Sequence, residues 1–292
     1  MPETYDAPLV VADKFGRRFI NKEKLGENFF VLRLDNYPLV VPPALQSPSG
    51  FSIPEDAGHA GDFESAGLVG FGTAPFLVQF SEVGIEANAF MNAPIHHNLI
   101  LGLGGLPVVF AETAFFLAGK FVQVAITNLS AALASSVRMA LVGRRFNHEM
   151  SPAVRERRSQ FLANRPTRPF WLTLDTTIAV IGSGSTNNEF FMTVPSGSHF
   201  VAEALLAEST GIFEIAIFDG QSGKPLTYGA GGTAFVDSRM ITGPGGLPAR
   251  TLGSPLLQPR RSVRVLINDL ANAGTNRIFF TMHGRRLRMP VG

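Results

Sequence analysis

The 292-residue chain has no cysteine, one tryptophan and three tyrosines, and charged residues make up only 16% of it. The absence of cysteine excludes a disulfide framework, a thiolate nucleophile, a cysteine-ligated zinc site and an iron–sulfur cluster. A 45% share of hydrophobic residues excludes an intrinsically disordered chain. Because a surface with so little charge is poorly suited to solvent on every side, we expect other protein to cover much of it.

Charge is also unevenly divided along the chain. Residues 1–136 carry 13 acidic and 7 basic side chains, whereas residues 137–292 carry 10 acidic and 18 basic ones. Halves of opposite sign favour head-to-tail contacts between copies and leave nucleic acid as a nonspecific partner at most. Residues 1–6 lack the basic start and apolar core of a signal peptide, which predicts synthesis and retention in a cytoplasm.

The second half of the sequence repeats the first. Residues 102–107 and 243–248 share five of six identities, and in the same register residues 121–145 match residues 262–286 at eight positions without a gap. At about 6% per position, chance gives only one or two matches in a block of that length. The chain is therefore predicted to be a tandem duplication.

Apolar residues alternate within each repeat, which is typical of half-buried strands. Val122, Val124 and Ile126 would share one face of a strand, and residues 263–267 repeat the pattern. Short strands between clusters of Gly, Pro, Ser and Asn indicate a sandwich or jelly roll, and the last two strands of each repeat are predicted to form an antiparallel hairpin. The predicted fold class is all-β, with two tandem, internally duplicated β-sandwich domains of jelly-roll type joined by a short α-helix.

This prediction divides the chain into four segments. Residues 1–28 show no strand period and are predicted to be an extended arm that orders on a neighbour. Residues 29–146 and 169–292 are the two sandwich domains. Residues 147–168 are predicted to be a helical linker that begins near Ser151, a good helix cap.

Several side chains are candidates for assembly contacts. The sequence Gly-Arg-Arg ends each repeat, and paired arginines can clamp carboxylates or phosphates. The interpretation we favour is that they are charged guards, which keep a strand end from pairing with another chain. The candidates, including aromatic and basic residues of the arm and of the apolar segment at 99–119, are Arg144, Arg145, Arg285, Arg286, Phe15, Arg17, Arg18, Phe115 and Phe116.

Residues 99–119 form the one stretch that resembles a membrane span. In the second repeat, the counterpart of residues 106–119 is residues 247–260, which are polar and cannot cross a bilayer, so a membrane is not an expected partner. Two interpretations stay open for the first copy. It is either a surface that faces a partner, with Phe115 and Phe116 on it, or a better-filled core.

No pattern in the sequence predicts catalysis. Residues 220–225 lack the spacing of a phosphate loop, and residues 182–186 lack the second glycine of a nucleophile elbow. His96 and His97 would point to opposite sides of a strand, which favours a surface or loop role over a metal site. We predict no catalytic, metal-binding or cofactor-binding residue, and no cofactor.

Four features together suggest a family: the opening Phe-x-Leu-x-Leu-Asp of each repeat, the Gly-x-Gly-Gly-Leu-Pro turn, the Val-x-Val-x-Ile strand and the terminal Gly-Arg-Arg. They resemble accessory virion proteins of tailed bacteriophages. The resemblance implies a non-enzymatic structural protein of the virion, with a minor capsid, decoration or connector role, made in the host cytoplasm. Its partners would be itself and other virion proteins.

Three other functions stay open. A double jelly-roll capsid protein also places two sandwiches in one chain. A carbohydrate-binding adhesin module would use loops around residues 58–72 and 227–236, although one tryptophan and three tyrosines make a poor sugar platform. An enzyme whose residues converge only in the folded chain has the least support.

Overall fold

Antiparallel strands fill both halves of the chain in this computed structural model. Alternation is clearest in residues 262–269, where buried and partly exposed side chains take turns along one strand. The structure describes residues 10–12, 18–20, 29–33, 39–43, 46–52, 63–82, 90–102, 107–116, 121–145, 167–179, 185–227, 234–243, 249–250, 255–271 and 274–288.

Nine of the described strands build the first half, with one short helix, α1 (His97–Ile100), directly after the strand β8. The strands are β3 (Phe29–Arg33), β4 (Leu39–Val41), β5 (Gln46–Ser52), β6 (Phe63–Gly72), β7 (Phe76–Glu82), β8 (Ile95–His96), β9 (Val108–Phe116), β10 (Phe121–Asn128) and β11 (Ser135–Arg145). They form two sheets with the orders β3-β11-β6-β9 and β5-β10-β7-β8, and β4 also pairs with β11.

The second half repeats this plan, with helix α2 (Ser238–Ile241) in the place of α1. Its strands are β12 (Thr167–Ala179), β13 (Ser185–Thr193), β14 (Ser198–Ser209), β15 (Phe213–Asp219), β16 (Val236–Asp237), β17 (Ala249–Arg250), β18 (Leu256–Leu257), β19 (Ser262–Asp269) and β20 (Thr275–Arg288). The sheets have the orders β12-β20-β14-β17 and β13-β19-β15-β16, and β18 also pairs with β14.

The two halves have the same topology. In each half the first strand of the roll pairs with the last, and the chain passes repeatedly between the two sheets, which is the arrangement of an eight-stranded jelly roll. The short helix follows the equivalent edge strand in both halves, β8 in the first and β16 in the second. The predicted fold class, all-β with two tandem, internally duplicated jelly-roll domains, is confirmed.

The predicted hairpin at the end of each repeat is wrong. Strand β10 pairs with β5 and β7, whereas β11 pairs with β3, β4 and β6, so the two lie in different sheets. The same holds for β19 and β20. A polar connection between two strands does not reveal whether it turns back within one sheet or crosses to the other.

Two further strands lie ahead of the first roll. β1 (Val10–Ala12) pairs with β2 (Arg18–Ile20), and Val10 packs against Ala66. Residues 1–28, predicted to be an extended arm that orders on a neighbour, therefore contain a strand pair that lies on the chain's own first half. The predicted helix lies outside the described residues, and the proposed boundaries of the four segments stay predictions.

Each half has its own core, but the two cores differ in what they include. The second core contains Phe170 and Phe280 and lies within the second half. The first core also takes in Trp171, Leu206 and Phe279 from the second half. Since neighbouring residues of a strand point to opposite faces, β12, β14 and β20 are buried on both faces.

Candidate assembly surfaces

A glycine in each repeat lets two strands approach closely. A Cβ atom on Gly143 would lie 1.9 Å from the carbonyl oxygen of Glu64, and one on Gly284 would lie 1.9 Å from that of Val201. The register between β11 and β6, and between β20 and β14, shifts at the same place. The missing side chain of each glycine therefore permits both the bulge and the close approach of the two backbones.

The arginines that follow these glycines form ion pairs within the chain. Arg144 Nε donates to Glu64 Oε2 at 2.6 Å, and both side chains are buried. In the second half, Arg285 Nε lies 3.2 Å from Oε1 of Glu203. Arg144 is therefore neither a charged guard nor a free anion clamp, because a buried carboxylate already holds its guanidinium.

The equivalent ion pairs are built from different positions. Glu64 lies directly opposite Arg144 in the ladder, whereas Glu203 is the extra residue of the bulge between Ala202 and Ala204. Both repeats therefore place a carboxylate beside the first arginine of Gly-Arg-Arg, although from different ladder positions.

The remaining candidates occupy different environments. Arg286 donates to Ser198 Oγ, and its guanidinium lies over the ring of Phe170 with 5.8 Å between the guanidinium carbon and the ring centroid. Arg145 lies in β11 and Arg18 in β2, each described by its backbone alone. Phe15 and Arg17 lie outside the described residues.

Phe116 is buried in the first core, so its side chain is not available to a partner in this fold. Phe115 lies in the same strand, β9, and only its backbone is described. The buried side chains of Leu99, Ile100 and Phe110 belong to the same core. As far as its described side chains show, the apolar segment is therefore part of a well-filled core, which is the second of the two interpretations.

Part of what fills that core is the second half of the chain. Asn92 Nδ2 donates to the carbonyl of Thr173 at 3.0 Å, and the amide of Thr173 donates back to Asn92 Oδ1 at 2.7 Å. The amide of Trp171 donates to the carbonyl of Phe90 at 2.9 Å. These paired bonds fix the connection between β7 and β8 against strand β12.

Aromatic rings extend this contact. Phe110 meets the edge of Trp171 with 5.3 Å between ring centroids, and Trp171 stacks on His283. The amide of Ala111 donates to Nε2 of His283 at 3.3 Å. Sequence reasoning missed this contact, although adjacent apolar residues such as Phe170 and Trp171 are a signal of strands buried on both faces.

His96 and His97 also lie at the contact between the halves. Their ring centroids are 4.6 Å apart, and His96 stacks on Phe279 of β20 at 4.6 Å. Burial, aided by the charge of Arg277, lowers the pKa of His96 to about 4, and burial beside His96 lowers the pKa of His97 to about 3. The predicted surface or loop role is wrong for His96, which is buried and neutral at pH 7.

Exposed apolar side chains mark the open surfaces of the molecule. Within the described residues, the large exposed ones are Val40, Phe71, Leu133, Phe191, Ile212, Met240, Leu256 and Leu270. Met240 is the most open of these, with 78% of its surface exposed. Such residues are where contacts with other protein are expected first.

Two absences hold for the described part of the chain. No helix there is both long and apolar enough to cross a membrane. Nor do three or more His, Asp or Glu side chains converge there in a way that could hold a metal ion.

Comparison with known proteins gives weak likenesses. No family model and no curated protein matches the chain. The STIV MCP matches with a TM-score of 0.36 and 7% identity over 89% of this chain and 97% of that one. The PBSX exported protein XepA matches with a TM-score of 0.23 and 10% identity over 95% of each chain. Since both TM-scores are below 0.5, neither protein supplies a fold or a function for this chain.

Proposed function

We propose that this chain is a non-enzymatic structural protein of a virus particle that acts in multiple copies. The observation that carries the proposal is the pair of jelly rolls in one chain, each with the same order of eight strands in two sheets and one additional short strand, β4 or β18. Jelly rolls serve as building blocks of viral capsids. Their two packed sheets form a rigid unit whose side surfaces can contact neighbouring subunits. Low charge and exposed apolar side chains support contacts with other copies.

Within this class we favour a subunit of the particle wall, the double jelly-roll capsid protein, over the accessory protein of a tailed phage. The two rolls share a sheet region buried on both faces, which makes them one block rather than two modules on a flexible tether. A rigid unit of this kind suits a closed shell, because the angles between its contact surfaces are then the same in every copy. Itself and other virion proteins are the proposed partners, and the virion is the proposed location.

The carbohydrate-binding alternative loses support from the fold. Residues 63–72, part of the expected variable loop, form strand β6, and the single tryptophan, Trp171, is buried between the halves. An indole that binds sugar needs an open face. The described residues offer no such platform.

Particle purification tests the proposed function. Particles from cells that carry this gene would be purified by density, and the copy number of the chain measured by quantitative mass spectrometry. A wall subunit is expected among the most abundant particle proteins, whereas a connector or decoration protein would be present in fewer copies. Absence of the chain from every particle fraction would contradict a structural role.

The purified chain provides a second test. We expect sedimentation velocity to show concentration-dependent oligomers, and a glycan array to show no binding above background. A chain that stays monomeric at every concentration and binds a defined glycan would reverse the choice between assembly protein and adhesin.

A further inference from the structure

One buried carboxylate in the second half lacks a charged partner. Within the described residues, the buried acidic side chains are Glu64, Glu203 and Asp269. Glu64 pairs with Arg144, and Glu203 pairs with Arg285. Asp269, at the end of β19, is 1% exposed and forms no ion pair with any described residue. Because a buried charge is stable only when it is paired or coordinates a metal ion, Asp269 needs a counter-ion.

The two oxygens of the Asp269 carboxylate have different surroundings. Oδ1 accepts from the amide of Ala271 at 3.0 Å and from Nδ2 of Asn276 at 2.9 Å. Oδ2 is buried and has no hydrogen-bond partner in the chain. Such an oxygen is rare in native proteins, since most buried polar atoms bond to protein, water or an ion. The missing partner therefore lies on the Oδ2 side.

The first repeat has an asparagine, Asn128, at the position of Asp269, and it is also buried. Each of the two side chains forms the same turn with its own loop. The amide two residues further on, of Ser130 or of Ala271, donates to Oδ1 at 2.9 Å or 3.0 Å. Since the two Oδ1 atoms have the same role, Nδ2 of Asn128 corresponds to Oδ2 of Asp269.

Three carbonyl oxygens surround Nδ2 of Asn128. This nitrogen donates to the carbonyls of Val41 at 3.0 Å, Pro42 at 3.2 Å and Leu133 at 2.8 Å. The carbonyls belong to the end of β4 and to the loop between β10 and β11. In the first repeat, a neutral amide thus satisfies a group of oxygen acceptors.

The second repeat keeps the segments that supply these carbonyls. Ile178 of β12 is the counterpart of Val41, because each lies opposite the equivalent residue of the last strand, and Gly274 corresponds to Leu133. Oδ2 of Asp269 has no hydrogen to offer to oxygens at these positions. A cation between them would replace the amide hydrogens and also supply the missing counter-charge.

We propose that Asp269 is the charged ligand of a hard cation, specifically Ca²⁺, at this end of the second roll. Oδ2 of Asp269 binds the ion together with main-chain oxygens of Ile178 and Gly274, and water completes the shell. Ca²⁺ prefers this mixture of carboxylate, carbonyl and water oxygens, of which it takes about six to eight. The inference goes beyond the proposed function and does not depend on it.

The position of Asp269 allows an ion to enter. Leu270, Gly274 and Thr275 in the connection from β19 to β20 are exposed, so the carboxylate lies just beneath the surface. Affinity for Ca²⁺ rises with the number of charged ligands, and this site has one. We therefore expect a dissociation constant of about 10⁻⁴ to 10⁻³ M.

A site of this composition has no sequence motif. It uses one carboxylate and main-chain oxygens, whereas recognisable metal sites bring together several acidic or histidine side chains, which the described part of the chain does not do. The proposal therefore departs, at Asp269 alone, from the sequence-based prediction of no metal-binding residue.

Thermal unfolding of the full chain, after removal of cations with EDTA, tests the inference. Addition of CaCl₂ to about 10 mM is expected to raise the melting temperature by about 2–6 °C, because a ligand that binds only the folded chain stabilises it. Mg²⁺ is expected to act more weakly, since it requires stricter geometry, and NaCl at matched ionic strength should have no effect. Equilibrium dialysis with radioactive calcium should show one bound ion per chain. No binding and no shift, or an equal shift with NaCl, would contradict the site.

Asp269→Asn gives the sharpest test, because it converts the site to the arrangement around Asn128. The new amide would donate to the carbonyls that otherwise bind the ion. We expect this variant to fold, to lose the response to Ca²⁺ and to melt in EDTA at or above the temperature of the natural chain. An unchanged response to Ca²⁺, or a lower melting temperature in EDTA, would overturn the inference.

Asn128→Asp is the reciprocal change. It should create a similar site in the first repeat, so the variant is expected to melt lower than the natural chain in EDTA and to gain more from Ca²⁺. Dialysis should then show two ions per chain. Should this variant fail to fold, the response of Asp269→Asn still decides the inference.

Asp219→Asn is the matched control. Oδ1 of Asp219 also accepts from the amide two residues further on, that of Gln221 at 3.1 Å, but the carboxylate is partly exposed and lies 3.7 Å from Arg261. We expect the control to keep the full response to Ca²⁺. An equal loss of response in Asp219→Asn and Asp269→Asn would indicate a general effect of charge and would contradict a specific site.

Discussion

Trp171 stacks on His283 with 4.8 Å between the ring centroids and an angle of 10° between the ring planes. The two residues are direct cross-strand partners in β12 and β20. Phe110 of the first half then meets the indole edge. The second half of the chain supplies the stacked rings of Trp171 and His283, and the first half covers them. The stability of each half therefore depends on the other.

Truncation of the indole is expected to destabilise the whole chain. Trp171→Ala leaves a cavity between the halves and should lower the free energy of unfolding by about 3–5 kcal/mol. Urea unfolding followed by far-ultraviolet circular dichroism measures the change. Leu133→Ala, at an exposed position, is the control and should change the free energy by less than about 0.5 kcal/mol. Equal effects of the two variants would contradict the importance of this contact.

The bulge glycines are expected to tolerate no side chain. Gly143→Ala and Gly284→Ala each place a Cβ atom 1.9 Å from a backbone carbonyl oxygen, so strands must separate to admit it. We expect a loss of about 2–4 kcal/mol or a failure to fold. Gly223→Ala is a useful comparison, because that glycine has open space around it and a φ of 65°. Its cost should be only that of backbone strain, about 1 kcal/mol, and losses no larger at Gly143 would rule out the close approach.

Acid is expected to weaken the contact between the halves. The pKa of His96 falls to about 4 and that of His97 to about 3 in the folded chain, both below the ordinary value of 6.5. The unfolded chain therefore binds protons first as the pH falls, so stability is full above pH 6.5 and is lost progressively below it. Each histidine should remove about 2 kcal/mol between pH 7 and pH 5.

Urea midpoints at pH 7, 6 and 5 measure this loss. A variant with both His96→Asn and His97→Asn should be less stable at pH 7 but show a flatter dependence on pH, because the titrating groups are gone. The same slope in the variant and the natural chain would show that other groups control the response to acid.

Breaking the buried ion pair between Glu64 and Arg144 is expected to destabilise the fold strongly. Replacing both charged groups by neutral ones is expected to destabilise it less. Glu64→Gln removes the charge of the carboxylate that accepts from Arg144 Nε and should cost about 3–5 kcal/mol. Removing both charges with Glu64→Gln and Arg144→Met should cost less than the single change. Asp237→Asn, in the exposed pair with Arg239, should cause little change in unfolding. If the double variant is the least stable, the ion pair stabilises the folded chain by more than the neutralisation of two buried charges.

The repeat and its alternating apolar residues were enough to predict the class of fold. The register that aligns Gly102 with Gly243 also correctly matched Asp237 with His96 and Arg285 with Arg144, because insertions between the copies are few. A glycine precedes the terminal arginines in both repeats, which fits the close backbone approach that the structure shows at Gly143 and Gly284.

Contacts between distant parts of the chain could not be predicted in this way. Whether β11 pairs with β10 or with β3 depends on sheet packing, which no local pattern encodes. Burial of Trp171 depends on Phe110 and Phe90, which belong to the first half and lie far from it in sequence. The ion pair of Arg144 was missed because its partner, Glu64, lies 80 residues earlier.

The stack of His96 on Phe279 has a consequence for the timing of assembly. Because both rings belong to one covalent chain, their contact forms at any dilution. A contact between separate molecules depends instead on how many of them are present. Under the proposed function, newly made chains would therefore be fully folded while still apart, and contacts between copies would form only as their concentration rises.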